Sequence, residues 1–349
     1  MNGERITISD IAKRAGVSRA AVSYALRDDP NIAAETRARI RRVAEKMGYR
    51  PDPTLAKLMA HLHAGRGRRY TGKLALLNVH ANRDYWNTTA ALRDFRASAE
   101  RRAGELGYQA EEFWWHEPNR SPGRLAQMWV ARGIRGVLVG STGRRGSAVE
   151  FPWGKFAAVT VGYSVAVPAM HRVVTHHYRN TQLAIRQAEA AGHTRIGFVS
   201  PRDEEAAMEN LHLSAFLAWQ QDVALADRVP PLRTEAGDWA AWRRWYDEHR
   251  PTVILSTSAG RVELAATGLR VPDDVSVIKL LLWHPEPGEA GVLPGYDRLG
   301  AAAVNLLVAQ LQHDDYGPPA DPRTLLVDGR WSPGASLGAG PGAHSSPSK

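Results

Sequence analysis

The apolar positions of the N-terminal region recur at helical spacing, in short stretches separated by turn residues. Ile11, Ala12 and Ala15 share one face of a predicted helix that starts at about residue 8, and Gly16 stands where a left-handed residue would end it. Ser18 is placed to cap a second helix that runs to about residue 26. This spacing predicts two short helices joined by a tight turn, which is the geometry of a helix-turn-helix motif.

Two further helices are predicted before residue 70. One runs from about Ala34 to Met47, and the other covers Leu55–Leu62, with apolar residues at i, i+3, i+4 and i+7. Because an isolated helix of about ten residues is marginal in water, we expect the Leu55–Leu62 helix to need a partner. That partner would be the same helix of a second subunit, DNA, or both. The helix before it carries five basic residues on its outer face: Arg37, Arg39, Arg41, Arg42 and Lys46.

The charge of the chain is concentrated at this end. Residues 1–69 hold 15 Lys and Arg against 7 Asp and Glu, whereas the other 280 residues hold 30 against 29. An ordinary helical hairpin with a glycine turn would also fit the apolar spacing, since short motifs give many false matches. A basic end beside such a motif is the electrostatic signature of a phosphate-backbone partner, so the combination predicts DNA binding.

From Lys73 onward the pattern changes to buried strands that alternate with amphipathic helices. The predicted strands are Leu74–Val79, Gln109–Trp114, Gly136–Val139, Ala157–Val161, Arg195–Ser200, Val253–Leu255 and Val275–Leu280. The predicted helices are Thr88–Leu106, Ser121–Ala131, Asn180–Ala191, Asn210–Gln220, Trp239–His249 and Leu299–Gln312. This alternation predicts doubly wound α/β layers with parallel sheets, and about 260 residues are enough for two lobes.

Four regions follow from these changes of pattern. We expect a helix-turn-helix headpiece over residues 1–50, a hinge helix and basic linker over 51–71, and two α/β lobes over 72–334. Residues 335–349 are rich in Gly, Pro, Ser and Ala, which predicts a disordered tail.

Composition narrows the class of protein further. The chain is 44% hydrophobic and 23% charged and has no cysteine, which excludes disulfides and thiolate chemistry. The sequence shows neither an apolar run long enough to span a membrane nor a signal segment, so we expect a cytoplasmic, nucleoid-associated protein. We find no catalytic motif and no metal-ligand spacing, the histidines at 171, 176 and 177 included, and therefore expect neither enzymatic activity nor a cofactor.

Three stretches carry a family resemblance: Ile8 to Leu26, Glu35-Thr36-Arg37 and Gly48-Tyr49-Arg50-Pro51. Through them the chain resembles the lactose-repressor (LacI/GalR) family of bacterial transcription regulators, over nearly its whole length. The resemblance implies an all-α headpiece with a hinge helix, followed by a two-lobed α/β effector-binding and dimerisation domain of the periplasmic-binding-protein-like (type I) kind. It also implies a homodimer that binds a pseudo-palindromic operator in double-stranded DNA and responds to a small-molecule effector.

By position, the resemblance assigns base reading to Arg19, Ala20 and Tyr24 of the second helix. An arginine can donate two hydrogen bonds to guanine O6 and N7, whereas Ala20 offers only apolar contact to a thymine methyl group. Tyr24 can donate or accept one hydrogen bond. The middle position of the implied reading face, Ala20, therefore has no side-chain group that could hydrogen-bond to a base.

The resemblance also assigns backbone contacts and a minor-groove wedge. Ser18, Thr36 and Arg37 match phosphate-contacting positions, and Ala33 replaces the Ser or Thr that usually caps the third helix. Leu58 matches the leucine that the family inserts into the minor groove to kink the DNA. A leucine at this spacing is also what the core of a hinge-helix dimer would use, so both interpretations of Leu58 stay open.

The effector region is matched with several departures. Trp239 stands where lactose-type repressors stack an aromatic ring on the sugar, although plain core packing would also account for it. The effector-gripping arginine falls at His212, the Asn-Asp pair at Thr257 and Ser258, and the Gly-Phe-Asp-Asp stretch at Lys279–Leu282. Sugar hydroxyls normally need charged partners, so these replacements predict a less polar ligand or a pocket that no longer binds one.

Two classes of function therefore stay in view. The first is a sequence-specific DNA-binding transcription regulator, expected to be a repressor, that a small molecule such as a carbohydrate or its derivative modulates. The second is an architectural or nucleoid protein that binds DNA without any effector. The basic headpiece disfavours a third class, an enzyme or solute-binding protein of α/β fold.

Overall fold

The computed structural model describes residues 8–18, 21–22, 25, 33–47 and 72–342. The chain divides into two compact units, the first comprising the helical residues before position 70 and the second nearly all of the chain after it. Each unit has its own hydrophobic core. None of the helices in these ranges is long and apolar enough to cross a membrane.

The helical unit has the elements that the apolar spacing predicts. Helix α1 covers Ile8–Ala15 and helix α2 covers Ala34–Lys46. Gly16 has φ of +65°, the left-handed conformation predicted for the end of the first helix. The core consists of small and branched residues from both helices and from the segment between them: Ile11, Ala12, Ala15, Val22, Ala25, Ile40 and Ala44.

The larger unit alternates strands and helices. The strands are β1 (Gly72–Asn78), β2 (Tyr108–Trp114), β3 (Ile134–Val139), β4 (Ser147–Ala148), β5 (Ala157–Val161), β6 (Val165–Val167), β7 (His171–Thr175), β8 (Ile196–Pro201), β9 (Leu232–Thr234), β10 (Val253–Ser256), β11 (Ser276–Lys279), β12 (Ala290–Leu293), β13 (Thr324–Val327) and β14 (Arg330–Ser332). The helices are α3 (Ala90–Glu105), α4 (Pro122–Ala131), α5 (His177–Ala190), α6 (Arg202–Ala207), α7 (Leu211–Gln220), α8 (Trp239–His249), α9 (Arg261–Leu264) and α10 (Tyr296–His313). Short 3-10 turns cover Tyr85–Asn87, Trp153–Lys155, Leu225–Asp227 and Ala265–Thr267.

These strands form two six-stranded sheets. The first has the order β13-β7-β5-β3-β1-β2 with every neighbour parallel, and the second has the order β14-β12-β11-β10-β8-β9 with only β14 antiparallel. Strands β4 and β6 pair separately. The prediction of two doubly wound α/β lobes is therefore confirmed.

The chain passes between the two sheets three times. It leaves the first sheet after β7, returns after β12 through helix α10, and crosses again between β13 and β14. Helix α10 packs on the first lobe, where Gly300 lies so close to α3 that a β-carbon would come within 2.2 Å of the Phe95 carbonyl oxygen. All three connections leave the carboxyl end of a strand, which is the edge where open α/β sheets bind their ligands.

The predicted disordered tail is wrong for residues 335–342. Ser336 is fully buried, and its hydroxyl accepts a hydrogen bond from the Ala290 N–H and donates one to the Val277 carbonyl, both at 2.8 Å. Further along, the Gly340 N–H donates to the Ala191 carbonyl at 2.7 Å. Most of the groups that attach this segment to the second lobe are backbone and hydroxyl groups, with Leu337 packed against the core, so its Gly- and Ser-rich composition gave no sign of order.

Candidate functional site

The turn of the helical unit is held by Ser18. Its hydroxyl accepts a hydrogen bond from the Ala21 N–H at 3.1 Å, and its carbonyl accepts one from the Val22 N–H, also at 3.1 Å. This is the capping geometry that the sequence predicts. The side chain is exposed, so a DNA phosphate could approach the same helix end.

The start of α2 has no side-chain cap, because Ala33 has no group that could accept a hydrogen bond. The first N–H groups of a helix have no partner within it, and the helix dipole favours an anion at that end. Thr36 and Arg37 lie in this first turn and are both partly exposed. The amino-terminal end of α2 is therefore suited to binding a phosphate group.

Arg39 has a structural role that the spacing of basic residues did not reveal. Its Nη1 donates a hydrogen bond to the Ala15 carbonyl at 2.7 Å, so it satisfies the carboxyl end of α1 from α2. One member of the predicted basic face thus joins the two helices, in addition to any attraction for phosphate.

The residues expected to read bases lie outside the described ranges. This applies to Arg19, Ala20 and Tyr24 in the second helix and to Leu58 in the hinge. Their assignment stays a prediction from the family resemblance.

The larger unit contains a cavity of about 110 Å³ at the carboxyl edge of the first sheet. Tyr85 and Trp86 border it from the turn after β1, Phe95 from α3, and Tyr296 from the start of α10. His177, the first residue of α5, lines it where the chain crosses to the second lobe. Four aromatic rings therefore form part of the wall, and the hydroxyls of Ser141 and Thr175 add polar groups beside the imidazole.

The rings that border this cavity are uncharged at neutral pH. Burial raises the pKa of the Tyr85 and Tyr296 hydroxyls, and it lowers the pKa of His177 to about 4, with a smaller contribution from the charge of neighbouring His176. Asp, Glu, Lys and Arg are absent from the cavity wall as far as the structure describes it. The described wall of the cavity is consequently uncharged but mixed, with neutral polar groups beside aromatic and aliphatic ones.

His212, predicted to replace the effector-gripping arginine, does not line this cavity but lies behind it. It is fully buried, and its ring centroid is 4.7 Å from that of His177 in an edge-to-face arrangement. Its Nδ1 lies 2.8 Å from the Thr181 hydroxyl oxygen, and the Thr181 hydroxyl donates to the His177 carbonyl at 3.3 Å. Burial, together with the nearby His177, holds the pKa of His212 well below its usual value.

Two nitrogens of this histidine pair have no hydrogen bond within the described part of the chain: Nδ1 of His177 and Nε2 of His212. The Thr181 hydroxyl lies within hydrogen-bond distance of both Nδ1 of His212 and the His177 carbonyl. A buried polar group without a partner is costly and calls for an explanation.

The other three effector candidates lie apart from the cavity wall. The Thr257 hydroxyl is buried and bonds to the Ser200 hydroxyl at 2.8 Å and to the Glu204 carboxylate at 3.2 Å, whereas Ser258 is exposed. Trp239 is partly buried against a core cluster of the second lobe, 5.8 Å from the ring of Trp242. The structure thus does not bring the four candidates together, and their role as ligand contacts stays a prediction.

Sequence reasoning missed the aromatic wall of the cavity. A usable signal was present, since Tyr85 and Trp86 follow β1, and Tyr296 follows β12, at the strand ends where α/β sheets bind ligands. The replacement of the family's Gly-Phe-Asp-Asp stretch by Lys279–Leu282 also has a structural counterpart. Leu281 and Leu282 are buried, and the adjoining Trp283 packs edge-on against Tyr296, with the ring centroids 5.2 Å apart. Through Trp283 the second lobe therefore contacts Tyr296, one of the residues that line the cavity.

A second depression, of about 460 Å³, lies beside the edge strand β2 and is polar. Trp114 forms part of it, with the Arg83 guanidinium 5.7 Å from its ring centroid. Arg83 also lies 3.6 Å from the Glu117 carboxylate. These charged groups therefore already have partners within the groove. Near the cavity, in contrast, Nδ1 of His177 and Nε2 of His212 have no hydrogen bond to any described residue.

Comparison with known proteins agrees with both units. Residues 7–52 match the family described as bacterial regulatory proteins, lacI family, and residues 185–337 match the periplasmic-binding-protein-like domain. The chain is 23% identical over 329 residues to the HTH-type transcriptional repressor PurR of Klebsiella pneumoniae, covering 87% of this chain and 90% of PurR. It is 48% identical over 50 residues to the regulator PtxS of Pseudomonas putida, covering 14% of this chain and 15% of PtxS.

The fold of the whole chain also has a solved counterpart. The structure of the transcriptional regulator CelR in complex with cellobiose superposes with a TM-score of 0.52 at 20% identity, covering 95% of this chain and 100% of CelR. Together with the capped helical turn and the two α/β lobes, these similarities define a helix-turn-helix transcription regulator. In this chain a DNA-binding domain of the lacI family precedes a periplasmic-binding-protein-like domain.

Proposed function

We propose that the protein is a sequence-specific repressor that binds a pseudo-palindromic operator as a homodimer and changes its DNA affinity when a small molecule binds between its lobes. The observation that carries this proposal is the Ser18-capped turn in a basic helical unit, followed by two lobes joined by three crossings. The protein would act in the cytoplasm, on the nucleoid, and without catalysing a reaction.

A band-shift assay tests the DNA-binding part of the proposal. The full-length protein should bind duplex DNA from its own promoter region at least about a thousandfold more tightly than random duplex, since specific sites typically gain that much over non-specific ones. Equal affinity for both duplexes would favour the alternative, an architectural protein that binds DNA without sequence preference and without an effector.

We predict that Arg19→Ala loses discrimination at one base pair, at a cost of about 1–3 kcal/mol, because an arginine that contacts guanine at two atoms carries specificity. The matched control is Thr36→Ala, which should weaken all sequences to the same degree because a phosphate contact carries no sequence information. Affinities measured on operators that differ at single base pairs separate the two patterns. If Arg19→Ala weakened every sequence alike, Arg19 would be a phosphate contact.

Leu58→Ala should reduce the bend of the bound operator, because a wedge between base steps is what kinks the duplex. The bend angle can be measured by energy transfer between dyes at the two ends of the operator. An unchanged angle together with weaker dimerisation would assign Leu58 to the core of the hinge-helix dimer.

The small molecule can regulate the protein only through different affinities for the DNA-binding and non-binding arrangements. CelR is solved with cellobiose, and carbohydrates are therefore the first class to screen here. Quenching of tryptophan fluorescence that disappears in Trp239→Phe would place the ligand at Trp239. Quenching that persists in this variant would leave Trp239 as a core residue.

A further inference from the structure

Three crossings join the two lobes over residues 72–342, and the third of them connects strand to strand. The first crossing leads from β7 into helix α5, and the second leads from β12 into helix α10. The third, Asp328 and Gly329, runs from β13 to β14. In the first sheet β13 pairs with β7, and in the second sheet β14 pairs with β12. The third crossing is therefore fixed beside the first crossing in one lobe and beside the second crossing in the other.

Asn180 attaches the first crossing to the third on the side where the chain continues as a helix. It lies in the first turn of α5, in the second lobe, and is 1% exposed. Its Oδ1 accepts a hydrogen bond from the Gly329 N–H at 2.8 Å. A β-carbon at position 329 would come within 2.7 Å of this oxygen, so glycine is needed for the close approach. The start of α5 is thus held against the third crossing.

Arg298 makes the equivalent attachment in the first lobe. It lies in the first turn of α10, and its Nη2 donates a hydrogen bond to the Asp328 carbonyl at 2.7 Å. The guanidinium lies across the second crossing, because a β-carbon at Gly295, whose φ is +88°, would come within 2.6 Å of Nη2. A hydrogen bond from a charged group stabilises more than a neutral one. Each of the two crossings that lead into a helix is thus attached to the third crossing by a side chain.

A direct bond between the first two crossings closes the arrangement. The hydroxyl of Thr175, a residue that is 4% exposed at the end of β7, donates to the Pro294 carbonyl at 3.3 Å. We propose that Asn180 and Arg298 clamp the three crossings into one unit, which restrains the lobes to a narrow range of relative orientations. A small molecule bound between the lobes would then act on a single hinge rather than on three independent linkers.

Interlobe distances in the full-length protein test this clamp. Because the chain has no cysteine, spin labels can be attached specifically through Arg101→Cys in α3 and Arg244→Cys in α8, two exposed positions. Dilution with unlabelled protein leaves dimers that carry labels on one subunit. Asn180→Ala and Arg298→Met should each widen the distance distribution at least about twofold, because a hinge that loses a restraint samples more orientations.

Two matched controls should keep the width of the unaltered protein. Arg179→Met removes an exposed arginine whose Nη1 donates to the Asp328 carboxylate at 2.9 Å, and exposed ion pairs contribute little. Thr160→Val removes a buried hydroxyl of β5 that has no hydrogen bond to any described residue. An unchanged width in Asn180→Ala or Arg298→Met, or equal widening in Arg179→Met, would overturn the clamp.

Near-ultraviolet circular dichroism shows which variants retain the fold. If Asn180→Ala, at the more buried of the two positions, does not fold, Arg298→Met alone decides the test. The distance measurement uses neither DNA nor an effector, so an unchanged width would remove the clamp and leave the proposed function standing. A band-shift assay on the same samples tests that function separately. Widened distances without any preference for an operator would keep the clamp and remove the regulator.

Discussion

Trp129→Ala is expected to lower the free energy of unfolding of the first lobe by about 3–5 kcal/mol, the usual cost of truncating a large buried aromatic residue. Trp129 is fully buried on α4. Its ring centroid lies 5.3 Å from that of Phe113, 5.1 Å from Phe151 and 5.7 Å from Phe156. Alanine would leave a void among three rings that strands and turns hold in place. Urea unfolding followed by near-ultraviolet circular dichroism measures the loss.

Two further variants separate packing from other effects. Trp283→Ala removes a ring of the same size that is 42% exposed and packs against one aromatic neighbour, so it should cost about 1 kcal/mol. Trp129→Phe should cost less than Trp129→Ala, because the indole N–H has no hydrogen bond to any described residue and only volume is lost. If Trp129→Ala cost no more than Trp283→Ala, this cluster would not be the core of the lobe.

Strand β5 and helix α8 are elements whose bounds the local sequence is sufficient to predict. All five residues of β5 are buried, and α8 begins where Asp238 accepts a hydrogen bond from the Ala241 N–H at 3.0 Å. Both elements have the bounds that the sequence predicts, because an apolar run and a capping aspartate are local signals. Most other predicted ends differ by one to three residues, which is where helix and strand boundaries are least defined.

Strands β13 and β14 were not predicted, because their signals are not local. Three of the four residues of β13 are exposed, and it joins the sheet by pairing with β7, about 150 residues earlier in the chain. The segment after β14 is similar, since a β-carbon at Gly334 would come within 2.2 Å of the Glu289 backbone. Glycine is required there because the two backbones approach closely. In the sequence alone, a glycine of this kind is indistinguishable from one in a flexible tail.

None of the four effector candidates that the sequence indicates lines the cavity. The family resemblance placed His212 at a ligand-gripping position, whereas the structure places it behind His177 as a buried support. The difference arises because imidazole is shorter than an arginine side chain and its Nδ1 finds Thr181 within the lobe. The aromatic wall could not be read from spacing, since Trp86 and Tyr296 are more than 200 residues apart.

The same histidine pair should make the protein sensitive to acid. The pKa of His177 is about 4 in the folded protein, against about 6.5 in the unfolded chain. Between these values the unfolded chain binds more protons, so the free energy of unfolding falls as the pH falls through this window. The shift of His177 alone corresponds to about 3 kcal/mol between pH 7 and pH 4. His212 and His193, whose pKa values burial also lowers, act in the same direction.

Acidic groups either oppose this loss of stability or titrate at lower pH than the histidines. Burial raises the pKa of Glu204 and Glu205, so these carboxyls stabilise the folded state as the pH falls and offset part of the loss. Asp274, whose pKa hydrogen bonds from Arg270 lower to about 2, matters only below pH 4. Urea midpoints at pH 7.5 and 5.0 should therefore differ less in His177→Gln than in the unaltered protein, and His284→Gln should keep the full difference. If His177→Gln kept it too, another group would be responsible for the acid sensitivity.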